Sequence, residues 1–563
     1  MDIEETIYKY ALTNAVEHGN KCQTGSVIGM VMSKNPEMRK DPKTVSQLAG
    51  KLTAKVNGLS PEEQASELEK YGGLEEHKRA PEKPKGLPEL EAPEGKQITL
   101  RFAPNPSGPL HIGHARAAIL NMLYQKKYDG KLILRIEDTD PKRVEVDAYD
   151  SIPADIEWLG IEPDETYIQS DRIEIYYDYA RKAIEIGAAY MCTCDGGDFK
   201  KLKDECKPCP CRSHTVEENM ELWDKFGDME EGEAVLRVKT DINHKNPAIR
   251  DWVAMRIVDQ EHPRIGNKYR IYPMMNFSVT IDDHLLGMTH VLRGKDHLAN
   301  SEKQAYLYKH FGWDIPEFIH YGRLKMDDVL LSTSKAREGI ASGKYTGWDD
   351  PRLGTIQAIA RRGIKKESLY DLIEEIGTKQ ADATISWKKI YGLNRNIIEE
   401  NTNRYFFIPN PVKVDIANIP EDKQELSISR ELHYNQPEKG MRTLNFNGSA
   451  YIPQDDYDKA ISQNKPLRLM DLVNINVDSD SAVYDSETLE EAQSKHALII
   501  QWVPTEDAIK AKVVMPDNTV TEGYIEADSS SVKVDDMVQL ERFGFARVDN
   551  VTSDEITFYY THN

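Results

Sequence analysis

The spacing of apolar positions divides the chain into stretches of different character. Residues 1–75 carry helical signals; Ser60, Pro61 and Glu62-Glu63 form a helix start, with a cap, a first-turn proline and acids near the positive end. Residues 76–96 break the pattern: Pro81, Pro84, Pro88 and Pro93 among charges predict an extended, semi-rigid linker and a domain boundary near 95. QITLRFA (97–103) then reads as a short strand, Ile112 to Tyr128 as a helix ended by Asp129-Gly130, and KLILRIE (131–137) as a second strand. Strand, helix and strand in this order make a βαβ unit and imply a parallel sheet. Helices are expected around 143–158, 171–187 and 301–312, and strands at 233–240, 251–259 and 289–294. The pattern is helical again from 350 to 400. After about 401, RYFFIP, ALIIQWVP, KAKVVMP and EITFYY are short, β-branched or aromatic, and divided by Gly, Pro, Asn and Asp, which predicts an all-β tail of barrel or sandwich type.

With 563 residues there is room for about three to five domains. Hydrophobic residues at 39% and charged residues at 29% place the chain among ordinary globular proteins. No apolar run approaches ~18 residues, and Met1 to Asn14 lacks a basic stretch followed by an apolar one. The expectation is an intracellular, cytoplasmic enzyme without a membrane or DNA partner. A net charge of −22 weighs against nucleic acid as a partner on average, though binding draws on local patches. Residues 401–563 hold 15 Lys and Arg against 28 Asp and Glu, a net −13.

Three groups of residues carry candidate chemistry. PNPSGPLHIGH (104–114) follows a strand and opens a helix, whose free N–H groups and positive dipole end suit a triphosphate. Pro104 and Gly108 shape the turn, Gly113 permits close backbone approach, and His111 and His114 share one face of the first turn, placed to donate hydrogen bonds to phosphate oxygens. Leu331 to Lys335 (LSTSK), beside Gly339, Gly343 and Gly347, reads as a flexible loop able to fold over phosphates, with Ser334 and Lys335 as contacts. Cys192, Cys194, Cys206, Cys209 and Cys211 exceed by one the four thiolates of a closed zinc site; the paired C-x-C units favour Cys192, Cys194, Cys209 and Cys211 as structural Zn²⁺ ligands. Cys22 reads as a buried hydrophobe, and RRGIKK (361–366) as a basic patch, either a solvated helix face or an RNA contact.

At these residues the chain resembles the class I aminoacyl-tRNA synthetases. PNPSGPLHIGH matches their HIGH signature, and LSTSK stands at their KMSKS loop, with Ser332 and Thr333 in place of the first Lys and the Met. RFAPNPSG, LRIEDTDP and DDHLLGMTHVLRG are similar to the glutamyl/glutaminyl branch, in its archaeal glutamyl type. The resemblance implies ATP and Mg²⁺, activation of L-glutamate, and transfer to the terminal ribose of tRNA(Glu); archaeal relatives generally charge tRNA(Gln) too. It implies that His111, His114 and Lys335, with Mg²⁺, neutralise charge on the departing pyrophosphate. It also implies an amino-acid pocket of Arg101, Asn105, Glu137, Met275 and Arg293. Arg101 contacts the substrate side chain, Glu137 receives its ammonium, and Arg293 marks glutamate, since bacterial-type glutaminyl enzymes have Cys there. Met275 stands where many relatives have Tyr. The alternatives are a glutaminyl-tRNA synthetase, a small-molecule nucleotidyltransferase with the same two signatures, and a non-catalytic RNA-binding protein.

The expected architecture is multidomain. An N-terminal helical extension and linker occupy 1–95. An α/β Rossmann-type catalytic domain spans 96–190 and 266–345, with an acceptor-stem insertion at 191–265 between its halves. A helical subdomain follows at 346–400, then anticodon-binding all-β barrels at 401–563.

Overall fold

A computed structural model describes residues 3–17, 19–35, 38, 41–71, 86–91, 94–327 and 329–563. The chain divides into two units, residues 1–85 and 86–563. Among its described residues the first holds four helices, α1 (Ile3–Glu17), α2 (Thr24–Lys34), α3 (Pro42–Asn57) and α4 (Pro61–Glu69), around a core that includes Ile7, Leu12, Val31, Leu52 and Val56. Ser60 caps α4 as its sequence predicts: its hydroxyl accepts from Glu63 N, and the Glu63 carboxylate accepts from Ser60 N. Cys22 is buried in the same core. Of the linker expected at 76–96, residues 76–85, 92 and 93 lie outside the described residues. Its far end differs from expectation: Leu90 is buried in the core of the second unit, its N–H donates to Tyr128 Oη (2.7 Å), and Lys127 Nζ donates to Leu87 O (3.1 Å). Burying Leu90 moves the division to 85/86, ahead of the boundary expected near 95.

In the second unit β1 (Thr99–Phe102), α5 (Ile112–Tyr128) and β2 (Lys131–Ile136) form the expected βαβ unit, and β3 (Glu165–Ile168) extends the parallel sheet. Strands 290–294 and 317–321 pair in parallel as a second block. The two blocks meet where Thr289 N donates to Thr99 O (3.1 Å) and Thr99 N donates to Thr289 Oγ1 (2.9 Å). That junction is a switch point of a doubly wound sheet, where such folds bind ligands beyond the carboxyl ends of the strands. Asn105, Glu137 and Arg293 all sit at those ends.

Between the blocks lies a four-stranded antiparallel sheet of residues 189–192, 235–238, 253–257 and 271–273, so the inserted sheet overruns 191–265 at both ends. Helices at 356–361, 366–376 and 387–398 make the helical subdomain; strand 383–385, unforeseen in the sequence, pairs back with 324–326.

The tail holds two seven-stranded sheets. One begins with strand 403–405 and ends with 407–409; the other begins with 498–500 and ends with 503–504. In each, the two edge strands are chain neighbours, Phe406 alone separating the first pair and Gln501-Trp502 the second. Each sheet therefore curls back on itself, which gives the barrels expected from the patterning.

Candidate active site

His111 is the N-cap of α5 and folds back over its first turn. Its Nδ1 accepts from Gly113 N (3.0 Å), and His114 Nδ1 accepts from His111 N (3.4 Å). Both imidazoles therefore carry their proton on Nε2, pointing away from the helix backbone. The rings stack at 3.8 Å. Burial pulls the His111 ring down to about 3, helped by its neighbour His114, and burial pulls His114 down to about 4. Burial therefore favours the uncharged rings, each with an Nε2–H left to donate. Gly113 is required for this geometry, since a Cβ there would meet the His111 ring at 2.8 Å. The loop is fixed from beneath by buried Asp155, which accepts from Leu110 N (2.7 Å) and whose carboxyl burial pushes up to about 7. It is also stitched to residues 354–356, because Ile112 N donates to Gly354 O and Ile356 N to Leu110 O.

LSTSK is not a free loop. Thr333–Ala341 is a helix, and Ser332, which replaces a Lys of the family pattern, caps it by accepting from Lys335 N (3.5 Å). Gly339 is no hinge either; it is buried beneath Tyr345, whose ring lies 2.4 Å from where a Cβ would stand. The two signatures touch. Gly108, at φ +136°, leaves only 2.5 Å between a hypothetical Cβ and Thr333 Cγ2, and Arg337 Nη2 donates to Ser107 O (3.1 Å). Ser334 lines a cavity of about 1010 Å³, together with Asn105, Glu137, Arg143, Arg256 and Met275. Lys335 is exposed and lines neither this cavity nor the smaller one below.

The smaller cavity, about 290 Å³, brings together Arg101, Pro104, Asn105, His114, Glu137, Met275 and Arg293. Asn105, Glu137 and Met275 are shared by both cavities, so the two communicate at one rim. Glu137 N donates to Pro104 O (3.0 Å) and Asn105 Nδ2 to Glu137 O (2.9 Å), tying the loop after β1 to the end of β2. Beneath lies a buried ionic cluster. Asp283 accepts from Arg101 Nε (3.0 Å) and Arg135 Nη1 (2.7 Å); Arg135 also holds Glu137 (2.9 Å), and Asp282 accepts from Arg172 Nε (2.8 Å). The guanidiniums of Arg101, Arg135 and Arg293 hold the Asp283 carboxyl below the usual carboxylate range despite its burial. Arg293 differs from the other arginines: its partners are neutral oxygens, Ser301 Oγ (3.3 Å) and Gln304 Oε1 (3.1 Å), with no ion pair among the described residues. Burial, and then Arg101, pull its guanidinium down to about 10. With Arg293, four guanidiniums face three carboxylates, a formal surplus of one positive charge. Arg135, Asp282 and Asp283 carry this electrostatics, and sequence reasoning assigned them no role. They lie within LRIEDTDP and DDHLLGMTHVLRG, but a charged residue is ordinarily read as surface.

In the insertion, Cys192, Cys194, Cys209 and Cys211 place their Sγ atoms within 4.8 Å of one another. Cys206 is not among them; it takes the left-handed backbone region at φ 58°. Two of the four cations of the basic patch are engaged: Arg361 is paired with Asp349 and Asp549, and Arg362 is buried over Trp387 (4.3 Å) and donates to Tyr391 Oη (2.6 Å), while Lys365 and Lys366 are half-buried. Arg362 fastens the helical subdomain together, and Arg361 ties it to the sheet that begins with strand 403–405.

Comparison with known proteins gives concordant matches along the chain. Residues 97–400 match the family described as tRNA synthetases class I (E and Q), catalytic domain; residues 402–495 and 499–549 match its two anti-codon binding domain families. A protein of Methanosphaera stadtmanae named glutamate–tRNA ligase is 80% identical over 563 residues, covering all of both chains. Proteins of the same name from Methanobrevibacter smithii and Methanocaldococcus jannaschii are 59% and 49% identical, again over the whole of both chains.

Proposed function

Because this chain belongs to the class I tRNA synthetases of the E and Q family, we propose that it is a glutamate–tRNA ligase, activating L-glutamate with ATP and transferring it to the 3′-terminal adenosine of tRNA(Glu). The observation that carries the choice of amino acid is the surplus positive charge around the smaller cavity. Glutamate carries one net negative charge and brings the buried cluster to neutrality. Glutamine would leave the Arg293 guanidinium buried without a counterion, a state that costs several kcal/mol. This disfavours the glutaminyl alternative.

In this reading Arg293 and Arg101 bind the side-chain carboxylate, and a guanidinium fork suits that geometry. Glu137 takes the α-ammonium, Asn105 lines the pocket and Met275 forms part of its wall. The α-carboxylate attacks the α-phosphorus of Mg²⁺-bound ATP in line; the new P–O bond forms as the bond to pyrophosphate breaks. His111 and His114 donate from Nε2 to the phosphate oxygens as charge develops there. Ser334 faces the larger cavity from the helix 333–341, and Lys335, exposed beside it, would supply a point charge once ATP is bound, while Pro104, Gly108 and Gly113 keep the loop close to the nucleotide. The ribose hydroxyl of tRNA then attacks the activated carbonyl and AMP departs. No side-chain nucleophile is required; the protein's work is positioning and electrostatics. Gly113→Ala tests the positioning: it displaces the His111 ring and lowers kcat by about 10- to 100-fold with little change in Tm, read by pyrophosphate exchange and thermal melting.

The four cysteines fit Zn²⁺. A tetrahedral site with Zn–S near 2.3 Å requires sulfurs about 3.8 Å apart; Cys192 and Cys209 Sγ lie at 3.9 Å, and Cys194 and Cys211 Sγ at 3.6 Å. The metal would close the insertion as a structural cross-link. Cys209→Ser is expected to lose the metal and destabilise the insertion, and Cys206→Ser to retain one zinc per chain, as metal analysis would show. No helix among the described residues is long and apolar enough to cross a membrane, in keeping with work in the cytoplasm.

Charging separate tRNA(Glu) and tRNA(Gln) transcripts with labelled glutamate or glutamine tests the reading. Glutamate on tRNA(Glu) supports it, and the tRNA(Gln) lane decides the second acceptor. Glutamine on either tRNA contradicts it.

A further inference from the structure

Arg293 is held by a polar chain that contains no carboxylate. Gln304 is buried on the helix 298–311; its Oε1 accepts from Arg293 Nη2 (3.1 Å), and its Nε2 donates to Asn276 Oδ1 (3.2 Å). That second bond fixes which end of the carboxamide faces the guanidinium. Asn276 Nδ2 donates in turn to Asn300 Oδ1 (3.1 Å), and Asn300 Nδ2 meets His297 Nδ1 (3.0 Å). Arg293, Gln304 and His297 all line the cavity assigned to the amino acid. Buried arginines are ordinarily met by acids, and those nearby are: Arg101, Arg135 and Arg172 all have carboxylate partners.

We propose that Gln304 is a positioning residue for substrate selection: it aims the Arg293 guanidinium into the cavity while withholding a counterion, so that only a substrate carboxylate completes the pair. The inference rests on the glutamate reading and names the device behind it. A glutamate at position 304 would have nearly the same shape, yet it would neutralise Arg293 from within. Four guanidiniums would then face four internal carboxylates, and a substrate carboxylate would meet no surplus positive charge. Gln304 itself touches Arg293 rather than the reacting atoms, so its effect falls on amino-acid binding more than on the chemical step.

The test compares Gln304→Glu and Gln304→Met in the full-length chain, by aminoacylation of tRNA(Glu) with glutamate and with glutamine. For Gln304→Glu the KM for glutamate is expected to rise about 10- to 100-fold, the worth of a charged hydrogen bond, with a smaller change in kcat and no loss of Tm. Its preference for glutamate over glutamine falls by a similar factor. Gln304→Met also weakens glutamate binding, but it retains the preference because the surplus charge remains. Equal loss of preference in both variants would mean a merely structural role and overturn the proposal, as would an unchanged KM in Gln304→Glu. Should Gln304→Glu fail to fold, an unaltered preference in Gln304→Met still supports the proposal and an abolished one overturns it. Wild-type enzyme that charges no glutamate at all would refute the parent reading instead, so the two failures are distinct.

Discussion

Arg293→Gln lowers kcat/KM for glutamate by about 10²- to 10³-fold, the cost of removing one partner of a desolvated charge pair. The loss lies mainly in KM, because the guanidinium holds a part of the substrate remote from the reacting carboxylate. Glutamine is affected far less, so the preference between the two collapses. Fold stability moves the other way. Burial pulls the Arg293 guanidinium down from its ordinary 12.5 to about 10, which means that the folded protein bears a cost for keeping it charged at neutral pH. Gln restores neutrality to the cluster, and the Tm of the variant is expected to equal or exceed that of the wild type. Activity and stability thus change in opposite directions at one residue, and steady-state kinetics alongside thermal melting checks both. A comparable fall in Tm would assign Arg293 a structural role.

His114→Ala lowers kcat by about 10²- to 10³-fold, the usual loss on removing a preorganised donor to developing negative charge. The KM for glutamate changes less. The pH dependence separates neutral donors from cations. Because burial lowers His111 to about 3 and His114 to about 4, neither ring gains charge between pH 6 and 8, and the rate carries no step near 6.5 from these groups. The consequence for stability has the opposite appearance. Unfolded imidazoles take up protons near 6.5 while the folded ones do not, so stability falls as pH drops from about 6.5 towards 4. In His114→Ala that acid slope is shallower. Denaturant titrations across the window measure it; a wild-type rate that rises on acidification through 6.5 would instead favour imidazolium.

Much of this was legible before any coordinates. The strand, loop and helix of residues 97–128 follow from a short β-rich run, a Pro/Gly turn and one apolar period, and the helix occupies Ile112–Tyr128 as expected. Paired C-x-C spacing selected the four cysteines that gather, because two residues one apart on each of two segments can meet as a tetrahedron. What escaped the sequence is charge whose meaning depends on burial. Arg362 and Arg361 read as a basic patch, yet their partners come from Asp349, Asp549, Trp387 and Tyr391, and no local rule announces such contacts. Asp283 and Gln304 were unassigned for the same reason: one fixes two arginines and the other leaves a third unpaired, a distinction set by tertiary packing. The helix at Thr333–Ala341 was missed because Ser332 and the nearby glycines read as a loop, whereas the serine is its cap. The burial that lowers the pKa of His111 and His114 is likewise a property of the packed loop and not of the HIGH string.

The most direct measurement is the ratio of kcat/KM for glutamate over glutamine, with wild-type enzyme and tRNA(Glu). A buried site with one surplus positive charge predicts a ratio of about 10³ or more, equivalent to several kcal/mol. A ratio near one, or a preference for glutamine, would contradict the charge balance on which this account of the site rests.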